Sequence, residues 1–256
     1  MPKEEQRRAA IGTISVMPIV DGQLKAITCV IHHQGSSIRS AQEGPHPHVI
    51  RPSADGRFVL VTDLGIDQVL IYQLDTSTGQ VALNQQGTAV VSENPGAGPR
   101  HFALAASGRT LYVINELNAT VTVYDSTPER SELHARQVVS TLPNGVDGPP
   151  IGNSYAHIAV SPDSQFVYGS NRGHDSIALW EVEDANGTLR PVEHESTRGT
   201  TPHNFTLDPT GAWLLVANQD SDTIDPFRRD PSSGRLTATG PVTQTPSPVA
   251  ILFRQD

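Results

Sequence analysis

The sequence predicts an all-β fold, a β-propeller built from four-stranded antiparallel blades. One pattern of apolar runs, turns and polar residues occurs four times, with a histidine near its start every 46 to 56 residues. The apolar runs are too short for helices, and 21 glycines and 20 prolines in 256 residues interrupt the chain often. Four short strands per repeat of about 40–50 residues are typical of propeller blades.

Each repeat starts with a histidine that precedes the first strand: His48, His101, His157 and His203. A tight turn follows that strand, at Gly56, Gly108, Ser164 and Gly211. The second strand ends in a carboxylate or amide, at Asp63, Asn115, Asn171 and Asn218. The third strand carries an aromatic residue, at Tyr72, Tyr124, Trp180 and Phe227. A further turn, such as 75–79 or 230–234, leads to a weaker outer strand.

Most of these recurring residues have structural explanations. The Asp and Asn side chains are expected to cap strand ends and hold the blades in register. The aromatic series is expected to pack between neighbouring blades. Because the four histidines take the same place in the repeat, one hydrogen bond repeated in each blade explains them most simply. The remaining histidines are expected in solvent or in loops, at His32, His33, His46, His134, His174 and His194.

The two ends of the chain are predicted to share a blade. Residues 12–17 match the register of a third strand, and residues 246–253 resemble the first strand of a further repeat. A composite blade of this kind removes free sheet edges. We expect about five blades, four complete and one composite or partial, in one domain over residues 11–256. Residues 1–10 form a separate charged segment, and Pro226 is expected to disturb the last third strand.

Composition narrows the classes of function. The net charge of −9 argues against nucleic acid and anionic membranes as partners. No apolar run reaches the roughly 20 residues of a membrane span, and the charged start lacks the apolar stretch of a secretory signal. The single cysteine, Cys29, excludes an internal disulfide framework and a cysteine zinc site. Nucleotide-binding and zinc-protease motifs are missing. The sequence therefore predicts a cytoplasmic protein that needs no metal or cofactor.

Six short motifs stand beside the repeat: Gly44-Pro-His-Pro-His48, Gly98-Pro-Arg-His101, Asn115-Glu-Leu117, Ser170-Asn-Arg-Gly-His-Asp-Ser176, Leu214-Leu-Val-Ala-Asn-Gln219 and Pro246-Ser-Pro248. In combination they resemble the seven-bladed propeller lactonase family, which includes bacterial-type 6-phosphogluconolactonase and the fungal carboxy-muconate cyclases. The resemblance runs over residues 11–253. It covers the later part of the family pattern, because the first two or so blades have no counterpart in this sequence.

The resemblance implies a catalytic group of one histidine, two arginines and one glutamate, matched here by His48, Arg100, Glu116 and Arg172. The repeat places each beside the start of a first strand or the end of a second strand, and such positions converge at one end of a propeller channel. In lactone hydrolysis, His48 or Glu116 can activate water. Arg100 and Arg172 can stabilise the oxyanion and bind an anionic group of the substrate. His174 is a further candidate for substrate contact.

Several alternatives stay open. The same residues suit a muconate-type cycloisomerase, an intramolecular lyase that moves one proton in the ring-forming direction. A non-catalytic binding module is a second alternative, because a shortened ring shifts the site residues relative to one another. A third is that Glu116 and Arg172 form only an ion pair between two blades.

Small molecules are the expected partners, namely a small anionic lactone or a dicarboxylic acid. A metal site on the four repeat histidines is not expected, because the separations between blades should be large. A closed ring predicts a monomer, whereas an open ring predicts self-association through its exposed sheet edges.

Overall fold

The computed structural model describes residues 12–53, 55–85, 90–127, 132–146, 154–183 and 187–253. The charged segment 1–10 lies outside these ranges. Within them the chain forms strands and two short 3-10 helices, Ser40–Gln42 and Leu64–Ile66. Neither helix in this part of the chain has the length and apolar character that a membrane crossing requires.

The N-terminal part forms two small antiparallel pairs. β1 (Thr13–Val16) pairs with β4 (Cys29–His32), and β2 (Ile19–Val20) pairs with β3 (Gln23–Leu24). Ile14, the buried residue of β1, packs on the sheet that follows in the chain.

Four larger antiparallel sheets follow, and each corresponds to one predicted repeat. Sheet I contains β5 (Pro47–Pro52), β6 (Phe58–Asp63), β7 (Gln68–Asp75), β8 (Gln80–Leu83) and β9 (Val90–Ser92), which also pairs with β7. Sheet II contains β10 (Pro99–Leu104), β11 (Thr110–Asn115), β12 (Thr120–Thr127) and β13 (Glu132–Ser140). Sheet III contains β14 (Ser154–Val160), β15 (Phe166–Arg172), β16 (Ser176–Glu183) and β17 (Thr188–Ser196). Sheet IV contains β18 (Pro202–Leu207), β19 (Trp213–Asn218), β20 (Thr223–Arg229), β21 (Leu236–Ala238) and β22 (Thr243–Gln244), which also pairs with β20.

The sheets stack face to face in chain order, with an apolar layer at each interface. The second strands of sheets I and II are buried on both faces because each of these sheets packs against a neighbouring layer on either side. Every residue of β6 and β11 is buried. The aromatic residues of the third strands are at most 2% exposed, at Tyr72, Tyr124, Trp180 and Phe227. The predicted role is confirmed for Tyr124, Trp180 and Phe227, which belong to these layers, whereas Tyr72 packs between sheet I and the β1–β4 pair. The observed architecture is the predicted all-β propeller arrangement.

The Asp and Asn residues at the ends of the second strands connect neighbouring segments, as predicted. Asn171 donates to the carbonyl of Thr141 at 2.8 Å, which joins sheet III to the end of sheet II. Asn218 does the same from sheet IV, to the carbonyl of Thr197 at 3.1 Å. Asp63 accepts from the backbone N–H of His46 at 2.7 Å. All of these side chains are buried, so the hydrogen bonds also satisfy polar groups that water cannot reach.

The prediction that the four histidines share one repeat position is wrong. The first strand of each sheet contains a β-bulge near its start, where the register with the second strand shifts by one residue. His48, Arg100 and His203 are the bulged residues of sheets I, II and IV. His101 and His157 stand one position later. The sequence carries this difference, because the tight turn follows His48 and His203 by eight residues but His101 and His157 by seven.

The predicted composite blade does not form among the described residues. β1 pairs with β4 of its own hairpin, and residues 246–253 form no strand. This C-terminal segment crosses the start of sheet IV, where the N–H of Ile251 donates to Asn204 Oδ1 at 3.2 Å. Pro246 and Pro248 supply no N–H group to a ladder, so side-chain contacts replace strand pairing.

Two further expectations have opposite outcomes. Sheet IV is irregular at Pro226, as predicted, since the outer strand opposite β20 is divided into β21 and β22 on either side of it. The proline is not the cause of the division, because the outer strand opposite β7 is divided in the same way and β7 contains no proline. His33 was expected in solvent, and this is wrong. It is 6% exposed, with Nδ1 2.6 Å from Asp63 Oδ2 and Nε2 2.8 Å from the hydroxyl of Tyr72. The buried carboxylate and phenol attract the imidazole and fasten the N-terminal segment to sheet I.

Candidate active site

The bulges at the starts of the innermost strands position the first half of the site. A bulge turns one side chain out of the regular alternation, and bulges are frequent beside active sites for that reason. Here they present His48 on β5, Arg100 on β10 and His203 on β18. The ends of the second strands supply the other half, since Glu116 directly follows β11 and Arg172 is the last residue of β15.

The Glu116 carboxylate lies between two arginines from different sheets. Its Oε2 is 2.7 Å from Nε of Arg100, and its Oε1 is 2.9 Å from Nη2 of Arg172. The side chains of Arg100, Arg172 and Glu116 are 3%, 15% and 19% exposed, so the cluster is largely shielded but open at Glu116 and Arg172. Three of the four predicted site residues therefore meet at the interface of sheets II and III.

Arg100 organises its surroundings by donating to neutral acceptors. Nη1 donates to the carbonyl of Ala156 at 2.6 Å and lies 3.3 Å from His101 Nε2, while Nη2 lies 3.2 Å from His203 Nε2. Burial lowers the pKa of Arg100 to about 10, with the charge of Arg172 adding to the effect and Glu116 opposing it. The guanidinium therefore stays charged at neutral pH.

The contacts of Arg100 determine the protonation of its histidine neighbours. An arginine only donates, so the ring nitrogens of His101 and His203 that face it carry no proton. His203 then donates from Nδ1 to the carbonyl of Val249 at 3.2 Å, and His101 from Nδ1 to His157 Nδ1 at 2.8 Å. Burial lowers the pKa of both His101 and His203, in agreement with neutral rings.

The histidine rings approach one another along the inner strands. The ring centroids of His48 and His101 are 5.1 Å apart, and those of His101 and His157 are 5.0 Å apart. The expectation of large separations between blades is therefore wrong at this position, because the innermost strands lie nearest to the axis. A metal-binding group of three or more His, Cys, Asp or Glu side chains is nevertheless missing from the part of the chain that the structure describes.

Among these histidines, His48 is the exposed residue, and the positive charges of Arg100 and Arg172 act on its ring. Loss of water around the ring lowers its pKa to about 4, and the positive charge of Arg100 contributes, with a smaller effect from Arg172. The imidazole is therefore neutral at pH 7 and able to accept a proton. Beside it lies an open cavity of about 190 Å³ between β1 and β5, lined by Thr13, Ser15 and Val49 among others.

The arginines keep hydrogen-bonding capacity in reserve. Nε of Arg172 is buried and has no hydrogen-bond partner among the described residues. Nη2 of Arg172 and Nε of Arg100 reach Glu116 by distance, but the geometry is that of ion pairs and not of aligned hydrogen bonds. Unused donors on a partly shielded cation favour an anionic ligand.

His174 takes a different place from the other predicted site residues. Its Nδ1 lies 2.8 Å from the hydroxyl of Ser176, and its ring lies 6.2 Å from the ring of His194 on the outer strand β17. Neither contact involves Arg100 or Glu116, and a role of His174 in substrate binding stays a prediction. His194, expected in solvent, is half-buried and contacts the carbonyl of Thr141 at 3.0 Å.

Sequence reasoning missed the contacts that hold Arg100. His101 and His203 were assigned to a repeated structural hydrogen bond, but both contact the Arg100 guanidinium, and the carbonyl of Ala156 completes its environment. The different spacing of the histidines from their turns, eight residues against seven, is the signal that separates the bulged positions from the next ones.

Fold and site together define a β-propeller with a cluster of two arginines and one glutamate at one end of its inner strands. A family model described as "Lactonase, 7-bladed beta-propeller" matches residues 10–253. The chain therefore belongs to the seven-bladed β-propeller lactonase family.

Similar proteins include a 6-phosphogluconolactonase of Bacillus subtilis, 35% identical over 243 residues that cover 94% of this chain and 67% of the relative. A 6-phosphogluconolactonase of Formosa agariphila is 34% identical over 84% of this chain and 60% of its own length. Among solved structures, the periplasmic gluconolactonase of Pseudomonas aeruginosa superposes with a TM-score of 0.86 at 33% identity, over 93% of this chain and 65% of that one. The chain thus spans about two thirds of the length of these relatives.

Proposed function

We propose that this chain carries the active site of a lactonase that opens a small anionic sugar lactone such as 6-phosphogluconolactone. The observation that carries the proposal is the Glu116 carboxylate between Arg100 and Arg172, with the neutral imidazole of His48 in the field of both arginines. The names of the relatives, two 6-phosphogluconolactonases and a gluconolactonase, support the same class of substrate.

In this proposal His48 is the general base. Both carboxylate oxygens of Glu116 are occupied by arginines, whereas the ring of His48 is uncharged at neutral pH and lines an open cavity. A water molecule adds to the lactone carbonyl and transfers its proton to His48. The ring C–O bond then breaks, and His48 returns the proton to the departing alkoxide, which leaves the open-chain hydroxy acid as product.

The arginines have separate tasks in this reaction. Arg100 is held firmly by the Ala156 carbonyl and two histidines, so we assign it to the oxyanion of the tetrahedral intermediate. Arg172 has an unused Nε–H and more exposure, so we assign it to the anionic substituent of the substrate. Glu116 orients both guanidinium groups, and its negative charge offsets the repulsion between them.

Two variants with matched controls test the proposal. We expect His48→Ala and Arg172→Gln to lower kcat/KM for 6-phosphogluconolactone by about 10²-fold or more. His134→Ala and Arg190→Gln, which change exposed side chains of the same types, should leave it unchanged. An active parent protein whose turnover survives both site substitutions would refute this assignment. Product analysis with a carboxy-muconate tests the cycloisomerase alternative in the same samples.

The proposal includes two further properties. We propose a cytoplasmic location, although one structural neighbour is periplasmic, and cell fractionation tests it. We also propose that the chain self-associates in solution through the ends of its sheet stack. The reason is that β1 has an unpaired edge and the described C-terminal segment forms no closing strand. Sedimentation that gives a strict monomer at high concentration would contradict the association.

A further inference from the structure

Asp67 is a buried carboxylate that the proposed reaction does not use, and it is the centre of a dense set of hydrogen bonds. It lies in the turn between β6 and β7 in a left-handed conformation, with φ of 56°, and is 4% exposed. Its carboxylate accepts from the backbone N–H groups of Gly96 and Gly98, both at 2.7 Å. It also accepts from Gln42 Nε2 at 2.7 Å and from the hydroxyl of Ser37.

The loop that Asp67 holds leads directly to the site. Gly98 lies two residues before Arg100, and its carbonyl accepts from the N–H of Glu116 at 2.7 Å. The carbonyl of Ala97 in the same loop accepts from the N–H of Leu117 at 2.9 Å. One short segment, residues 96–98, therefore sets the backbone of both partners of the Arg100–Glu116 ion pair, and Asp67 holds that segment through its N–H groups.

Space around the loop leaves little freedom for another arrangement. Gly98 has φ of 65°, and a Cβ atom there would lie 2.6 Å from Cγ of Leu117. The loop is thus pressed against the residue that follows Glu116, and a shift of the loop moves Glu116 with it. Close packing of this kind transmits small displacements to the neighbouring groups.

Sheets III and IV also have a carboxylate in a left-handed turn that accepts from a backbone N–H group, but there it holds a different segment of the chain. Asp175, with φ of 52°, accepts from the N–H of Thr201 at 2.9 Å. Asp222, with φ of 56°, accepts from the N–H of Ser247 at 2.7 Å. Each carboxylate thus fastens the segment that leads away to the next part of the chain. The loop held by Asp67 differs from the others because it leads directly to Arg100 and its Gly98 carbonyl accepts from the N–H of Glu116.

We propose that Asp67 is a positioning residue that holds Arg100 and Glu116 in their reactive geometry through the loop of residues 96–98. Its consequence for rate rests on the proposed lactonase function, whereas its consequence for geometry does not. Because Arg100 is assigned to the transition state and Arg172 to ground-state binding, loss of Asp67 should affect kcat more than KM.

Asp67→Asn is the test, since its amide N–H₂ must face one of the two loop N–H groups and displace it. We expect kcat for 6-phosphogluconolactone to fall by about 10- to 100-fold, because a misplacement of about 1 Å can cost 10²-fold. KM should stay within about threefold. Asp225→Asn, which changes another buried carboxylate, should leave both constants unchanged. An unchanged kcat in Asp67→Asn, or a rise in KM alone, would overturn the proposal.

Two additions keep the test decisive. If Asp67→Asn does not fold, Ser37→Ala takes its place, since it removes one hydrogen bond to the same carboxylate. We expect kcat of Ser37→Ala to fall about threefold. An unchanged kcat in a folded Ser37→Ala protein would refute the positioning role. If the parent protein opens no lactone, the proposed function fails, and the ¹⁵N resonance of Arg100 Nε–H decides about Asp67 alone. That resonance should move in Asp67→Asn and stay in place in Asp225→Asn, and an unmoved resonance in Asp67→Asn would overturn the proposal.

Discussion

Arg229 at the interface of sheets III and IV and Arg100 at the interface of sheets II and III are buried to nearly the same extent, 4% and 2% exposed. Arg229 uses each of its three nitrogens: Nε donates to the Tyr168 hydroxyl at 3.0 Å, Nη1 to the Gly211 carbonyl at 3.1 Å and Nη2 to Asp163 at 2.5 Å. Burial alone would lower the pKa of Arg229, but the hydrogen bonds to Asp163 and Tyr168 outweigh it and raise the pKa.

Arg100 has four partners, but its positive charge is less well balanced. Its carboxylate, Glu116, is shared with Arg172, and the histidines beside it are neutral. Burial therefore lowers its pKa to about 10. Arg229 has a carboxylate of its own, whereas Arg100 and Arg172 share one carboxylate and so keep a net positive charge, and Arg172 also keeps an Nε–H without a partner among the described residues. A ligand can use that charge and that donor.

The largest effect that tests this comparison is expected for Arg100→Gln. Loss of one donor to a developing oxyanion costs about 10²- to 10³-fold in kcat, or about 2.7–4 kcal/mol. We therefore expect kcat/KM for 6-phosphogluconolactone to fall by that factor, as measured in steady-state assays below the unfolding temperature. A variant with more than a tenth of the parent activity would show that Arg100 is structural like Arg229.

Arg229→Gln should show the reverse behaviour. Removal of the guanidinium leaves Asp163 and Tyr168 without their donor, and a hydrogen bond to a charged group contributes about 1.5–3 kcal/mol. We expect the free energy of unfolding, from urea titration, to fall by about 2 kcal/mol while kcat/KM is unchanged. A loss of activity without a loss of stability would break the distinction between the two interfaces.

Arg172→Lys sharpens the comparison within the site. Lysine keeps the charge but lacks the planar fork that binds an anion with two parallel hydrogen bonds. We expect KM for the anionic lactone to rise about tenfold, equivalent to about 1.4 kcal/mol, with little change in kcat. Arg190→Lys, in a surface ion pair with Glu181, is the matched control. Equal KM values in both variants would remove Arg172 from anion binding.

The smallest effect concerns pH. The pKa of His48 is lowered to about 4, so the ring is protonated only below that value and its basic form is already present at pH 5. We expect kcat/KM to be nearly constant between about pH 5 and 7 and to fall as the pH drops through about 4. With an unperturbed histidine, whose pKa is near 6.5, kcat/KM would fall about 25-fold from pH 7 to pH 5. A midpoint near 6.5 would show that His48 is not the group that titrates.

The propeller architecture was predictable because it depends on local pattern. Short apolar runs, turn residues and the Asp or Asn at each second strand repeat in register, and a repeated unit must bury its faces against its neighbours. The aromatic series follows from the same rule, and Trp180 and Tyr124 lie where it places them. The resemblance to known proteins then identified Arg100, Glu116 and Arg172, which the fold brings within contact distance.

The errors concern features whose partners are distant or whose register shifts by one residue. His33 was assigned to solvent because its partners, Asp63 and Tyr72, lie thirty or more residues away. The equivalence of the four histidines failed because His48 is the bulged residue of its strand, whereas His101 lies one position after the bulge of its own strand. The composite blade failed because β1 pairs with β4 and the segment 246–253 contacts sheet IV, so these two segments do not pair with each other.

By itself the sequence determined that strands of this length occur, where they turn and which faces they bury, since these properties depend on neighbours a few residues apart. Only the tertiary structure decided which charged and polar groups meet. Arg100 touches Ala156 and His203 from two other sheets, and Asp67 holds a loop about thirty residues away. Such contacts depend on how the sheets stack and where a bulge redirects a side chain, and spacing along the chain does not report those distances.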